Sequence, residues 1–143
     1  MSLDSLLEAF ERYMSVEKNF SPHTRRNYSR DLRHFRQFLG RQHPDLTVKA
    51  IASATIRSYL GTLYKKNKKS SIARKLASLR TFFKFLLRRG LVESNPAAAV
   101  ATPRLEKHVP GFLSIDEVFA LLKMPDDTTL AGARDKAIME TLY

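Results

Sequence analysis

Ser21-Pro22-His23-Thr24-Arg25-Arg26-Asn27-Tyr28-Ser29-Arg30-Asp31-Leu32-Arg33-His34-Phe35-Arg36-Gln37-Phe38-Leu39-Gly40 is the stretch that decides the fold. Ser21 is a natural N-cap, and Pro22 stands at the first helical position, where its missing N–H costs nothing. Tyr28, Leu32, Phe35 and Leu39 fall within about 60° of one another on a helical wheel, at roughly 100° per residue. Arg26, Arg30, Arg33 and Gln37 fall on the opposite side. Gly40 reads as the stop. The stretch is therefore an amphipathic helix with an apolar face to bury and an arginine stripe to present.

The same period runs through the rest of the chain. Leu3, Leu6, Leu7, Phe10, Tyr13 and Met14 predict a helix over 3–18. After a loop opened by His43-Pro44, Ile56, Tyr59, Leu60 and Leu63 predict a third over 54–64, with Ser53 as its cap. Ile72, Leu76, Leu79, Phe83 and Leu86 predict a fourth over 71–89, stopped by Gly90. Its other side carries Arg74, Ala77, Ser78, Thr81, Lys84 and Arg88, with Phe85 as the apolar exception. Pro96, Pro103, Pro110 and Gly111 mark a tail and a linker. Ser114-Ile115-Asp116-Glu117 is a capping box opening a helix over 115–123, and one more helix is predicted from Leu130 to Tyr143. β-Branched residues are scattered, not alternating, so no strand is expected. The reading is all-α: a bundle of four to five helices over residues 1–100, a linker at 101–113, and a helical piece at 114–143 that reads as the opening of a larger domain.

Charge is the second signal. The 143 residues carry 25 Lys and Arg against 14 Asp and Glu, a net of +11. Residues 1–20 are net −2 and residues 91–143 net −3, whereas residues 21–90 hold eighteen basic residues against only Asp31 and Asp45, net +16. A basic block so confined is an electrostatic footprint for a polyanion. Arg26, Arg30 and Arg33 stripe the second helix, and Arg74, Ser78, Thr81 and Lys84 stripe the fourth. Lys65, Lys66, Lys68 and Lys69 form a loop without aromatic residues, which favours phosphate contact over base stacking. Duplex DNA, with a charge every ~1.7 Å, is the partner expected.

Other chemistry is excluded by composition. With no Cys there is no disulfide, no thiolate zinc site and no thiol nucleophile. His23, His34, His43 and His108 lack ligand spacing, and no phosphate-binding loop or serine nucleophile motif occurs. No catalytic residue, metal, cofactor or small-molecule substrate is expected. No apolar run is long enough for a membrane span and no signal peptide opens the chain, so a cytoplasmic protein without membrane partners is expected.

The order of motifs resembles the tyrosine recombinase/integrase family. Ser21-Pro22-His23-Thr24, Tyr28, Asp31-Leu32, Phe35 and Phe38-Leu39 are similar to the start of its N-terminal core-binding, SAM-like domain. The likeness runs on through Ser71 to Leu86, Asn95-Pro96-Ala97, Pro103-Arg104, Val109-Pro110 and Leu113 to Val118. Arg134-Asp135-Lys136-Ala137-Ile138 with Leu142-Tyr143 resembles the first long helix of its catalytic domain. The near absence of a further N-terminal module looks most like the Xer branch, which resolves chromosome dimers; phage, transposon and integron integrases stay open.

The resemblance implies a domain on one face of duplex DNA, with the second and fourth helices at the major groove, and with other recombinase protomers beside it. Carried over by motif, it points to Thr24, Arg25, Arg26 and Arg30, and to Ser71, Arg74, Lys75, Ser78 and Thr81; charge adds Arg33, Lys68, Lys69 and Lys84. It implies that the catalytic residues lie beyond Tyr143, itself a packing position, so that the chain as given binds DNA and cuts nothing. The competing expectation is a helical interaction or regulatory module of phage or mobile-element origin, working through the apolar residues of 115–143.

Overall fold

The structure, a computed structural model, describes residues 2–104 and 111–142. His108, Tyr143 and residues 105–110 of the 101–113 linker lie outside them. Among the described residues every regular element is helical: α1 Leu3–Arg12, α2 Pro22–Gln42, α3 Ser53–Leu63, α4 Lys69–Arg88, α5 Ile115–Leu122 and α6 Leu130–Leu142. The all-α expectation holds. The chain divides into two compact units, Met1–Leu105 and Glu106–Tyr143.

In the first unit α4 is the centre. Its expected stripe is buried, and so are Phe82 and Phe85. Phe10 of α1 packs edge-on to Phe82 at 5.4 Å between ring centres and tilted against Phe85 at 5.5 Å. Tyr13 completes that cluster 4.8 Å from Phe85. On the other side Phe35 and Phe38 of α2 meet Tyr59 of α3 at 5.1 and 5.3 Å. Ring pairs of this kind add about 0.5–1.5 kcal/mol each beyond the area they bury.

Ends differ from the sequence reading in instructive ways. Ser21 caps α2 as expected, its hydroxyl accepting from Thr24 N–H. Gly40 does not stop α2, which continues to Gln42. Pro44 does the stopping: the residue before a proline is driven from the helical region, and His43 sits at φ −146°, ψ 62°. The first predicted helix, 3–18, is α-helical only to Arg12 and closes through a π-helical turn, Tyr13–Glu17. That wider turn lets consecutive Tyr13 and Met14 both face the core. Ser53 does not cap α3; Ala52 holds that position, and the Ser53 hydroxyl donates to Pro96 O at 2.8 Å. Helix α4 starts two residues early, at Lys69. Gly90, at φ +67°, turns the chain out of α4 as the glycine stop requires.

The outgoing tail is tied back by Arg80. Its guanidinium donates to Ala97 O, Thr102 Oγ1 and Val100 O at 3.2, 2.9 and 2.6 Å. Asn95 Nδ2 in turn donates to the Arg80 carbonyl at 3.0 Å.

In the second unit α5 begins with the expected capping box, Ser114 and Glu117 each bonding the other's backbone N–H. Two bonds from Ser114 hold the Glu117 carboxyl below its ordinary range. Helix α6 packs on α5, and a Cβ on Gly132 would run into the Asp126 carbonyl. Neither helix has a buried residue. Ile115, Phe119, Leu121, Leu130, Ile138 and Leu142 are all exposed.

Candidate nucleic-acid interface

Helices α2 and α4 pack directly on each other, so the two stripes foreseen from sequence lie on neighbouring helices. What the sequence did not reveal is the carboxylate between them. Asp31 lies on the flank of the α2 apolar stripe, and its side chain is completely buried. One carboxylate oxygen accepts from an Arg74 guanidinium N–H. The other accepts from Lys75 Nζ at 3.0 Å. Lys75 Nζ also lies 3.2 Å from His34 Nδ1. A buried carboxylate is tolerated only with such partners, because its desolvation otherwise costs several kcal/mol.

This cluster sorts the candidates. The Lys75 side chain is 5% exposed and turned inward to Asp31, so it belongs to the interior contact, not to the rim. Ser78 was expected on the outer face; it is 0% exposed, with its hydroxyl donating to Lys75 O. Both departures have one cause: α4 is buried around more of its circumference than a single stripe describes. Thr81 is half-buried and donates back to Ala77 O at 2.9 Å. Arg74 keeps 32% of its side chain exposed.

On α2, Arg26 and Arg30 are exposed, and Arg30 donates to Asn27 Oδ1 at 3.2 Å. Arg33 is exposed but leans toward α1, 3.2 Å from the Glu11 carboxylate. Arg36 pairs with Asp4 further along α1. Thr24 and Arg25 are half-buried at the start of α2, Thr24 Oγ1 lying 2.9 Å from Ser21 Oγ. The Arg25 Nε is buried without a hydrogen-bond partner among the described residues. Ser71 is half-buried at the start of α4, while Lys68, Lys69 and Lys84 are exposed.

Electrostatics follow the same cluster. Burial, then the Lys75 cation, lowers the pKa of His34; Asp31 opposes this, and Arg30 and Arg74 add to it. His34 is exposed at the surface, and its contact with Lys75 ties it to this cluster. Burial, then the Asp31 carboxylate, pushes the Tyr59 phenol far above its ordinary value. Its hydroxyl is buried with no hydrogen-bond partner among the described residues. Asp31, His34 and Tyr59 were the functional neighbours missed; an acid standing almost alone in a +16 block was the available clue.

Among the described residues no group of three or more His, Asp or Glu side chains is placed to hold a metal ion. No helix among them is long and apolar enough to cross a membrane.

The family profile described as "Phage integrase, N-terminal SAM-like domain" matches residues 7–90 of this helical bundle. The chain belongs to the tyrosine recombinase/integrase family. It is 45% identical over 99% of its length to tyrosine recombinase XerC of Syntrophus aciditrophicus (strain SB), covering 48% of that protein. XerC of Myxococcus xanthus is likewise 45% identical over 99% of the chain, with 47% of that protein covered. The chain thus spans about half the length of the curated relatives it matches. A crystal structure of a lambda integrase dimer, residues 75–356, bound to a COC′ core site aligns over 86% of this chain and 43% of that one. Its TM-score is 0.67 at 22% identity, a likeness of fold.

Proposed function

We propose that this chain is the core-binding half of a Xer-type site-specific recombinase and that it grips duplex DNA through α2 and α4. The observation that carries the reading is that two packed helices both present cations to solvent: Arg26 and Arg30 on α2, Arg74 and Lys84 on α4, and Lys68 and Lys69 where α4 begins. Thr24, Arg25 and Ser71 are assigned to the ends of that face, and Arg33 to its margin. Lys75, Ser78 and Thr81, assigned to DNA by motif, serve it from inside α4 by setting how the helix sits. The lambda integrase dimer solved on its core site supports DNA and neighbouring protomers as partners, and the XerC relatives support a role in chromosome dimer resolution.

Anisotropy of a labelled duplex, titrated with the protein from 50 to 300 mM salt, tests the reading. Six or so phosphate contacts give a slope of log K on log salt near −5, since each contributes about −0.9. Binding that does not weaken with salt refutes it. The exposed apolar residues of α5 and α6 favour a second reading, capture of a protein partner. Removal of residues 114–143 separates the two: DNA affinity survives under the first and is irrelevant to the second.

A further inference from the structure

We propose that Asp31 is a positioning residue for DNA contact: its buried carboxylate holds the Arg74 guanidinium ready at the rim of the α2–α4 face. The proposal rests on the DNA-binding reading above.

Three observations carry it. First, Asp31 takes a different cation on each oxygen, Arg74 on one and Lys75 on the other. Lys75, 5% exposed, is enough to neutralise one buried carboxylate from inside. The second cation is surplus to internal neutrality and leaves the contact with a net positive charge. Second, the surplus cation is the one that reaches solvent, 32% of the Arg74 side chain being exposed while the Asp31 side chain is fully buried. Third, Arg74 spends one N–H edge on Asp31, and no other acceptor for it is found among the described residues. A guanidinium is a planar fork of five donors. Held at Nη1, it offers its remaining donors to a phosphate or a guanine edge. An unanchored surface arginine would lose its rotamer freedom only on binding, and that ordering cost is avoided here.

The test is a variant of unchanged net charge, Asp31→Leu together with Lys75→Met. It removes both buried charges, keeps the Lys75 stem volume and leaves Arg74 present but unanchored. Folding is checked by far-UV circular dichroism and a thermal melt. The expected result is duplex affinity about three- to ten-fold weaker at fixed salt, the range given by ordering one long side chain on binding. The Arg74→Ala loss should also be smaller in this background than in the parent. A folded variant with parental affinity, or an Arg74→Ala loss equal in the two backgrounds, overturns the proposal. Should the double variant not fold, Arg74→Lys keeps the charge and removes the fork. A similar three- to ten-fold weakening supports the proposal, and equal affinity overturns it. Absence of binding by the parent chain at low salt is a distinct outcome that defeats the DNA-binding reading and this proposal with it.

Discussion

Replacing Arg80 by alanine asks what seats residues 95–102 against α4. Three acceptors lose their donor: the carbonyls of Ala97 and Val100 and the hydroxyl of Thr102. Two responses compete. If the tail stays seated, two carbonyls near the core lose a charged donor, at about 1.5–3 kcal/mol each. If it lifts, water satisfies both carbonyls, and the loss is chiefly the burial of Val100, about 1.5–3 kcal/mol. Backbone freedom regained by the released residues offsets part of that. Lifting is the cheaper response, so Arg80→Ala should cost about 1–2 kcal/mol and free the tail beyond Pro96. The Asn95 bond to the Arg80 backbone carbonyl survives the substitution and sets where the lifting stops. In a urea titration followed by circular dichroism, the midpoint should fall by roughly 0.5–1 M, for a slope near 2 kcal/mol/M. Tryptic cleavage after Arg104 should accelerate, because a protease needs an extended, mobile segment. Parental midpoint together with parental cleavage rate would refute the clamp.

Leu76→Ala, at a fully buried site, should cost about 2–5 kcal/mol in the same titration, while the DNA affinity of the protein still folded stays near parental. Arg26→Ala and Arg30→Ala, both at exposed positions, should leave the urea midpoint unchanged and each reduce the steepness of the salt dependence by about 0.9. His34 should titrate by NMR below an ordinary histidine, with burial and Lys75 as the causes. Its pKa should rise in Lys75→Met. Because the folded-state pKa is the lower one, stability conferred by neutral His34 is complete above the unfolded histidine pKa. It is lost as pH falls from there through the folded value.

Helix number and the two side-chain caps at Ser21 and Ser114 were legible because each is written in local sequence. The stop at Gly40 was misread because a glycine permits a helix end without imposing one, whereas Pro44 imposes one on its neighbour. Ser78 and Lys75 were misread for a tertiary reason. A wheel shows one helix and one stripe, while α4 is enclosed by α1, α2, α3 and the Arg80-tied tail. The Asp31 cluster was out of reach for the same reason, since its members stand 43 and 44 residues apart in sequence. The arginines at 26 and 30, opposite the α2 apolar stripe, were the legible part of the candidate interface.

The ion pairs of α1 have a kinetic consequence. Asp4 and Glu11 engage Arg36 and Arg33 along one flank of α2, and Glu17 engages Arg89 past the end of α4. Acidic charge is thereby gathered on α1 and the π-helical turn after it, while Arg26, Arg30, Lys84 and the lysine loop are left outward. The bundle carries a permanent dipole moment as well as a net charge. In the steep potential beside a polyanion such a body feels a torque as well as a pull. It rotates during approach, so that a larger fraction of diffusional collisions arrive with the cationic face forward.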